Sequence, residues 1–251
     1  NAGTDAASQN TIAELDGEDY ILNGNKIFIT NAGVADIFII MAMTDKSKGT
    51  RGISSFIVEK GTPGFSLGKK EDKMGINASD TRELIFQNCR IPKENLLGKE
   101  GMGFKIAMAT LDGGRIGIAA QALGIAQRAV DETVEYVKER EQFGRPISKF
   151  QGLQWYIAEM ATKVEAAKNL VYKAALTKDA GKSFSSEAAM AKLMASETAM
   201  AVTTKAVQIF GGYGYMKEYP IERLMRDAKI TEIYEGTSEV QKMVIAGSLL
   251  R

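Results

Sequence analysis

The sequence contains no histidine. The side chain whose ordinary pKa lies nearest neutrality is missing. Acid–base chemistry near pH 7 must therefore use a carboxylate, a tyrosine, a lysine or the single cysteine, Cys89. One cysteine excludes an intrachain disulfide and, without histidine, argues against a zinc site, so no metal is expected. A reducing compartment is compatible with this usage. No sign of charge is in excess: 32 basic residues stand against 31 acidic ones, net +1, which leaves no broad electrostatic footprint for nucleic acid. Long hydrophobic runs are also lacking. The longest, Ile37 to Met43, is far too short to span a bilayer. The opening Asn1-Ala2-Gly3-Thr4-Asp5 carries neither an initiator Met nor a signal-peptide pattern and reads like the middle of a loop. Repeats, low-complexity tracts and charge blocks are absent.

What is present is ordinary globular composition, 45% hydrophobic and 25% charged over 251 residues, enough for one large domain or two smaller ones. The chain changes character near residue 100. Before it the pattern is strand-like. Tyr20 to Leu22, Asn23-Gly24 and Lys26 to Thr30 read as a hairpin with a type I′ turn. Ile37 to Met43, Ile53 to Val58 and Arg82 to Phe86 are further strand candidates. After Gly103 the period is helical: Leu123, Ala126, Val130, Val134 and Val137 share a face, and the helix stops at Gly144-Arg145-Pro146. Ser148 with Gln151 reads as a capping box opening a helix through Phe150, Leu153, Ile157, Met160 and Val164. A third helix spans about Ser186 to Phe210. Pro220 suits the first turn of a short fourth, and a last helix follows Thr237. The expectation is an α+β fold: an antiparallel β-barrel or sandwich domain over residues 1–100, then a four-helix bundle over 101–251.

Four constellations could carry chemistry. Tyr234-Glu235-Gly236-Thr237-Ser238-Glu239 places a carboxylate in a tight turn, with Ser238 and Gln241 reading as a capping box for the helix behind it. A glutamate there is ordinarily a solvated turn residue; the company this turn keeps favours a functional one. Leu111-Asp112-Gly113-Gly114-Arg115 puts two glycines inside a helical pattern. That is costly unless another helix or a ligand approaches closely. Gln208 to Gly214 is not a dinucleotide-binding turn, and alone reads as a helix C-cap. Arg140 to Gly144 holds an arginine that alone would only complement a helix dipole. The 12 methionines read as core filling.

In this order the segments resemble the acyl-CoA dehydrogenase family from residue 1 to 251, nearest its bacterial short-chain, butyryl-CoA branch. The strongest stretches are Leu111 to Gln121, Lys138 to Gln151 and Arg226 to Gln241. The resemblance implies a middle β domain and a C-terminal helical bundle, with the family's N-terminal helical domain missing. It implies that Glu235 is the catalytic base. Substrate contacts fall on Gly236, Thr4, Asp112 and Arg115. FAD contacts fall on Thr4, Phe28, Ile29, Thr30, Arg140, Phe143, Gln151, Gln208, Ile209, Phe210, Gly211, Gly212, Thr237, Ser238 and Glu239. Phe28 stands where the family usually has Trp, and Phe210 where close relatives often have His. In other branches the base lies at the position of Gly114, which has no carboxylate.

The activity so implied is FAD-dependent α,β-dehydrogenation of a short-chain acyl-CoA to its trans-2-enoyl-CoA, with electrons passed to an electron-transfer flavoprotein. The alternatives are an enoyl-CoA reductase running in reverse on a crotonyl-, acryloyl- or aryl-acryloyl-CoA, a DNA-binding relative, and a truncated non-catalytic subunit. The resemblance further implies a homotetramer, a dimer of dimers. It implies a cytoplasmic site in a bacterium, or the mitochondrial matrix in a eukaryote.

Overall fold

The computed structural model describes residues 2–250. They form two compact units: one runs to Lys73 and adds Asn77–Thr110, and the other holds Met74–Ile76 and everything from Leu111.

The first unit is built on one six-stranded sheet. Its strands are β1 (Ile12–Asp16), β2 (Asp19–Thr30), β3 (Ile37–Met43), β4 (Ile53–Glu59), β5 (Phe65–Lys70) and β6 (Thr81–Pro92), in the order β4-β3-β1-β2-β6-β5. Pairing is antiparallel except where Ile12 of β1 meets Met43 of β3 in parallel. The alternation Phe38, Ile40, Ala42 on β3 is buried, while Ile37 and Ile39 between them are exposed, as period-2 side-chain geometry demands. Aromatic rings knit the core. Phe65 stacks on its cross-strand partner Phe86 at 5.0 Å, and Tyr20 meets Phe56 edge-on at 4.8 Å.

Asn23-Gly24 is not a hairpin turn. β2 runs straight through it with a register shift against β6, and the tight turn lies earlier, at Gly17-Glu18 between β1 and β2. The glycine is required for a different reason. At Gly24, φ is +131°, and a Cβ would lie 2.8 Å from the Cα of Thr11. β1 and β5 were not anticipated from sequence. β1 alternates weakly, and β5 ends in the lysines Lys69 and Lys70.

The helical unit has five α-helices among the described residues, three long and two short, in the order the sequence pattern predicts. They are α1 (Gly103–Glu139), α2 (Gln151–Asp179), α3 (Ser185–Phe210), α4 (Ile221–Ile230) and α5 (Ser238–Leu249); the two units divide within α1. α3 buries a stripe of small residues, Ala188, Ala191, Ala195, Ala199 and Ala206. Met160, Val164, Ala167 and Val171 of α2 belong to the same apolar cluster. Small residues at this spacing let helix backbones approach closely. α1 stops at Glu139, before the expected Gly-Arg-Pro. Glu141–Gln142 (β7) and Arg145–Pro146 (β8) then form a minimal hairpin. Its central residues, Phe143 at φ +53° and Gly144 at φ +75°, have the positive φ that a primed turn needs. Ser148 does not cap α2. It lies in a 3₁₀ turn, Ile147–Lys149, that leads into the helix through Phe150, so no side-chain cap is made. Met74–Ile76 is tied to α4: the Ile76 N–H donates to Asp227 at 2.6 Å and Arg226 donates to the Met74 carbonyl at 2.7 Å.

Gly24→Ala is expected to destabilise the protein by more than about 1 kcal/mol, because it adds a Cβ at positive φ against backbone. Urea denaturation of both proteins checks this. A cost near zero would mean that Gly24 sits in a permissive turn after all.

Candidate active site

α4 ends at Ile230, and the chain turns through Thr231–Tyr234 before α5 begins. In that link Glu235 adopts φ +55° and Gly236 φ +86°. A non-glycine residue in the left-handed region is uncommon and needs its surroundings to hold it there. Here the Gln241 side-chain amide donates to the carbonyls of both Glu235, at 3.0 Å, and Gly236, at 2.8 Å. The expected Ser238–Gln241 capping box is therefore not made. Thr237 caps α5 by accepting from the Val240 N–H, Gln241 reaches back to the turn, and the buried Ser238 hydroxyl has no partner among the described residues.

The Glu235 carboxylate lies against α1. A Cβ built on Gly114 would sit 2.5 Å from its Oε2, so the glycine is the space the carboxylate occupies. The glycine pair thus answers neither to a neighbouring helix alone nor to a ligand alone. The cost of about 1 kcal/mol per helical glycine is tied at Gly114 to seating a carboxylate of the same chain. Burial raises the Glu235 pKa above the ordinary carboxylate value, and the charges of Arg115 and Lys192 pull it back only in part.

Arg115 is 6% exposed, pairs with Asp112 one turn before it, and has a buried Nε without a partner among the described residues. Asp112 also accepts from Ser185 at 3.0 Å. The Tyr234 hydroxyl donates to Gln121. Lys192, fully buried on α3, donates to the Gly236 carbonyl at 2.8 Å. Burial lowers its pKa to about 8. Sequence reasoning missed Lys192 and Gln121, although a lysine inside the alanine-rich face of α3 was a visible anomaly.

A second group of candidates meets within the helical unit. Arg140, Phe143, Ile209, Phe210, Gly211 and Gly212 line a cavity of about 650 Å³ together with Tyr136 and Tyr213. The Arg140 guanidinium lies 5.2 Å from the centre of the Tyr213 ring, and Phe210 stacks on Tyr136 at 4.0 Å. Gly211, at φ +63°, ends α3, and nothing lies within 4 Å of a Cβ built on it or on Gly212, so this turn is an open cradle. Gln208 faces a separate hollow of about 400 Å³ beside Lys205, and Gln151 sits exposed at the start of α2; neither joins the cavity. Thr237 and Glu239 stay at the α5 N-terminus. There a backbone N–H of its own residue, and after it the Thr237 hydroxyl, hold the Glu239 carboxyl below its usual range.

In the β unit, Ile29 and Thr30 line a hollow of about 380 Å³ with Gln9, Lys26 and Phe38. Phe28 lies at φ +58° in a register shift of β2 and is 67% exposed. Lys26 donates to Gln9 at 2.9 Å, and burial lowers its pKa to about 8. Thr4 is exposed and does not line that hollow.

Comparisons with known proteins bear on this arrangement. The family profiles described as "Acyl-CoA dehydrogenase, middle domain" and "Acyl-CoA dehydrogenase, C-terminal domain" match residues 1–89 and 101–250. Over 251 residues the chain is 64% identical to the short-chain specific acyl-CoA dehydrogenase of Clostridium acetobutylicum, covering 100% of this chain and 66% of that protein. It is 60% identical to an acryloyl-CoA reductase (NADH) of Anaerotignum propionicum, covering 100% of this chain and 64% of that protein. The solved butyryl-CoA dehydrogenase of Megasphaera elsdenii superposes with a TM-score of 0.99 at 64% identity, covering 100% of this chain and 66% of that one. A chain from work on the electron transferring flavoprotein of Acidaminococcus fermentans gives 0.99 at 66% identity with the same coverage. The chain thus spans about two thirds of the length of the proteins it matches.

A raised carboxylate pKa means that folding favours the protonated form. The stabilising contribution of protonated Glu235 is present below the ordinary glutamate pKa and is lost as pH rises through the higher folded value. Glu235→Gln is therefore expected to be more stable than the parent at pH 7, with the gain shrinking as pH falls through the raised folded pKa and gone below about 4. Thermal melts across pH check this; a gain unchanged by acid would contradict it.

Proposed function

This chain belongs to the acyl-CoA dehydrogenase family, and we propose that Glu235 is the base that removes the α proton of a short-chain acyl-CoA thioester during α,β-dehydrogenation. One observation carries the reading. The carboxylate of Glu235, whose pKa burial raises, is the one for which α1 surrenders a side chain, at Gly114. A base tuned upward from the ordinary carboxylate range accepts a proton more readily near neutral pH, and with no histidine in the chain nothing else here is as well matched to the task. The proton passes from the substrate Cα to a carboxylate oxygen of Glu235. The electron pair left behind spreads towards the thioester oxygen, where backbone N–H donors at the turn can meet it.

The family is flavin-dependent, and we assign the flavin as FAD. The helical unit suits one end of such a group. The Gly211-Gly212 turn offers backbone with no side chain in the way, Arg140 offers a guanidinium for phosphate, and Tyr136, Phe210 and Tyr213 offer flat apolar walls. In the β unit, taken by itself, Ile29 and Thr30 with the exposed Phe28 offer a surface suited to a flavin ring. When bound, the flavin supplies the acceptor for the β hydride. The chain's residues orient it and keep water from the reacting atoms.

A second reading has its own support, the 60% identity to an acryloyl-CoA reductase. Proton transfer at Glu235 is reversible, so the same carboxyl donates to Cα when an enoyl-CoA is reduced. Electron-transfer flavoprotein as redox partner, a homotetrameric assembly and a cytoplasmic setting complete the proposal. The likeness to a chain from the flavoprotein study supports the first of these. No helix among the described residues is long and apolar enough to cross a membrane.

Anaerobic titration of the full-length, flavin-loaded protein with butyryl-CoA, and of its reduced form with crotonyl-CoA, tests the activity and its direction. Glu235→Gln should keep the flavin spectrum and lose acyl-CoA-dependent bleaching by about 10²–10⁴-fold or more. Bleaching within tenfold of the parent would remove Glu235 from the role of base. Sedimentation should find the flavin-loaded protein as a tetramer at micromolar concentration; a flavin-loaded monomer would count against the assembly.

A further inference from the structure

Lys192 is fully buried on α3, between alanines that an apolar side chain would join at less cost. A buried ammonium persists only where it is paired or hydrogen-bonded. Its bond, at 2.8 Å, goes to the carbonyl of Gly236, the residue after the proposed base. That carbonyl also accepts from Gln241 at 2.8 Å, so both of its lone pairs are engaged, while the Glu235 carbonyl accepts from Gln241 at 3.0 Å. The two residues so tethered are the two at positive φ, +55° and +86°. Released from these bonds, a glutamate would relax towards the ordinary right-handed or extended regions. Its carboxylate would then leave the space beside Gly114.

We propose that Lys192 is a positioning residue for the base: its ammonium holds the Glu235–Gly236 turn in its left-handed conformation and places a positive charge beside the Glu235 carboxylate. The inference rests on the reading of Glu235 as the base and deepens it. The charged and titratable groups around this pair are Arg115 on α1, Glu232 and Tyr234 in the link after α4, and Glu239 on α5. Arg115 and Lys192 favour the ionised form of Glu235 against burial. Glu232, Glu235 and Glu239 favour the charged form of Lys192. Removing Lys192 leaves the charge of Arg115 to oppose burial at Glu235, so the protonated form of Glu235 gains.

The test uses the full-length, flavin-loaded protein with Lys192→Met, which removes donor and charge, and Lys192→Gln, which keeps an N–H donor without charge. In both, the acid limb of the pH profile for acyl-CoA-dependent bleaching should move up by about one pH unit. At pH above the limb, Lys192→Met should lose about 10²-fold in rate, as a displaced reacting group does. Lys192→Gln should recover most of that loss. A readout free of turnover accompanies these: at pH 7, Glu235→Gln should stabilise the Lys192→Met background more than it stabilises the parent. An acid limb that stays in place, or an equal stability gain in both backgrounds, overturns the proposal. If Lys192→Met does not fold, the limb of Lys192→Gln decides alone. Parental bleaching by Glu235→Gln in the native background would instead defeat the assignment of the base, and the stability comparison would still read the coupling between the two residues.

Discussion

One carboxylate has to be kept in a place where a folded chain resists putting it, and much of the helical unit answers to that constraint. Glu235 takes a left-handed backbone conformation and a half-buried position, both unfavourable for glutamate. Three elements meet the demand from different directions: α1 by the empty space at Gly114, α3 by the ammonium of Lys192, and α5 by the amide of Gln241. A local turn motif could not do this alone. The restraint comes from helices far apart in sequence, so the site forms only when the helical core has formed. The apolar stripe of α3 serves both ends of this arrangement, carrying Lys192 at one point and ending at the Gly211-Gly212 cradle.

The legibility of the chain followed the range of the interactions involved. Helices α2 and α3 were readable because their apolar residues repeat at 3.6-residue spacing, a local property. β3 and β4 were readable because short runs rich in isoleucine and aromatic residues, bounded by Gly, Asn and Asp, have few alternatives. Gly24 was misread for a specific reason. Asn-Gly is the strongest short-range turn signal, but here the glycine answers to Thr11 on a neighbouring segment, which sequence spacing does not reveal. The capping box before α5 failed in the same way. Ser238 and Gln241 have the right spacing, yet the glutamine is drawn off by carbonyls of a strained turn that no propensity describes. The Glu235 turn was legible as a candidate through its neighbours and the missing histidine. Lys192 was not, because a buried lysine looks in sequence like any solvated one until its helix face is known.

The two candidate binding regions inside the helical unit differ in kind. Around Glu235 the polar groups are short of partners: Arg115 Nε, Ser238 Oγ and Gln241 Oε1 are buried without hydrogen bonds among the described residues. Such atoms carry a standing cost that a bound molecule can relieve. Around Arg140 the walls are aromatic and already satisfied by one another, Phe210 on Tyr136 and Tyr219 edge-on to both. That surface is preformed and offers shape before it offers polarity. The hairpin that presents Phe143, 93% exposed, adds an aromatic ring at its edge.

The glycine at position 114 also limits how such a site can change over time. The volume beside α1 is already taken: even a single carbon on the helix would lie 2.5 Å from Oε2 of Glu235, so a side chain gained there can be housed only if the carboxylate of the turn swings away. Changes at positions 114 and 235 are therefore not independent of each other: what the helix gains at this point, the turn has to yield.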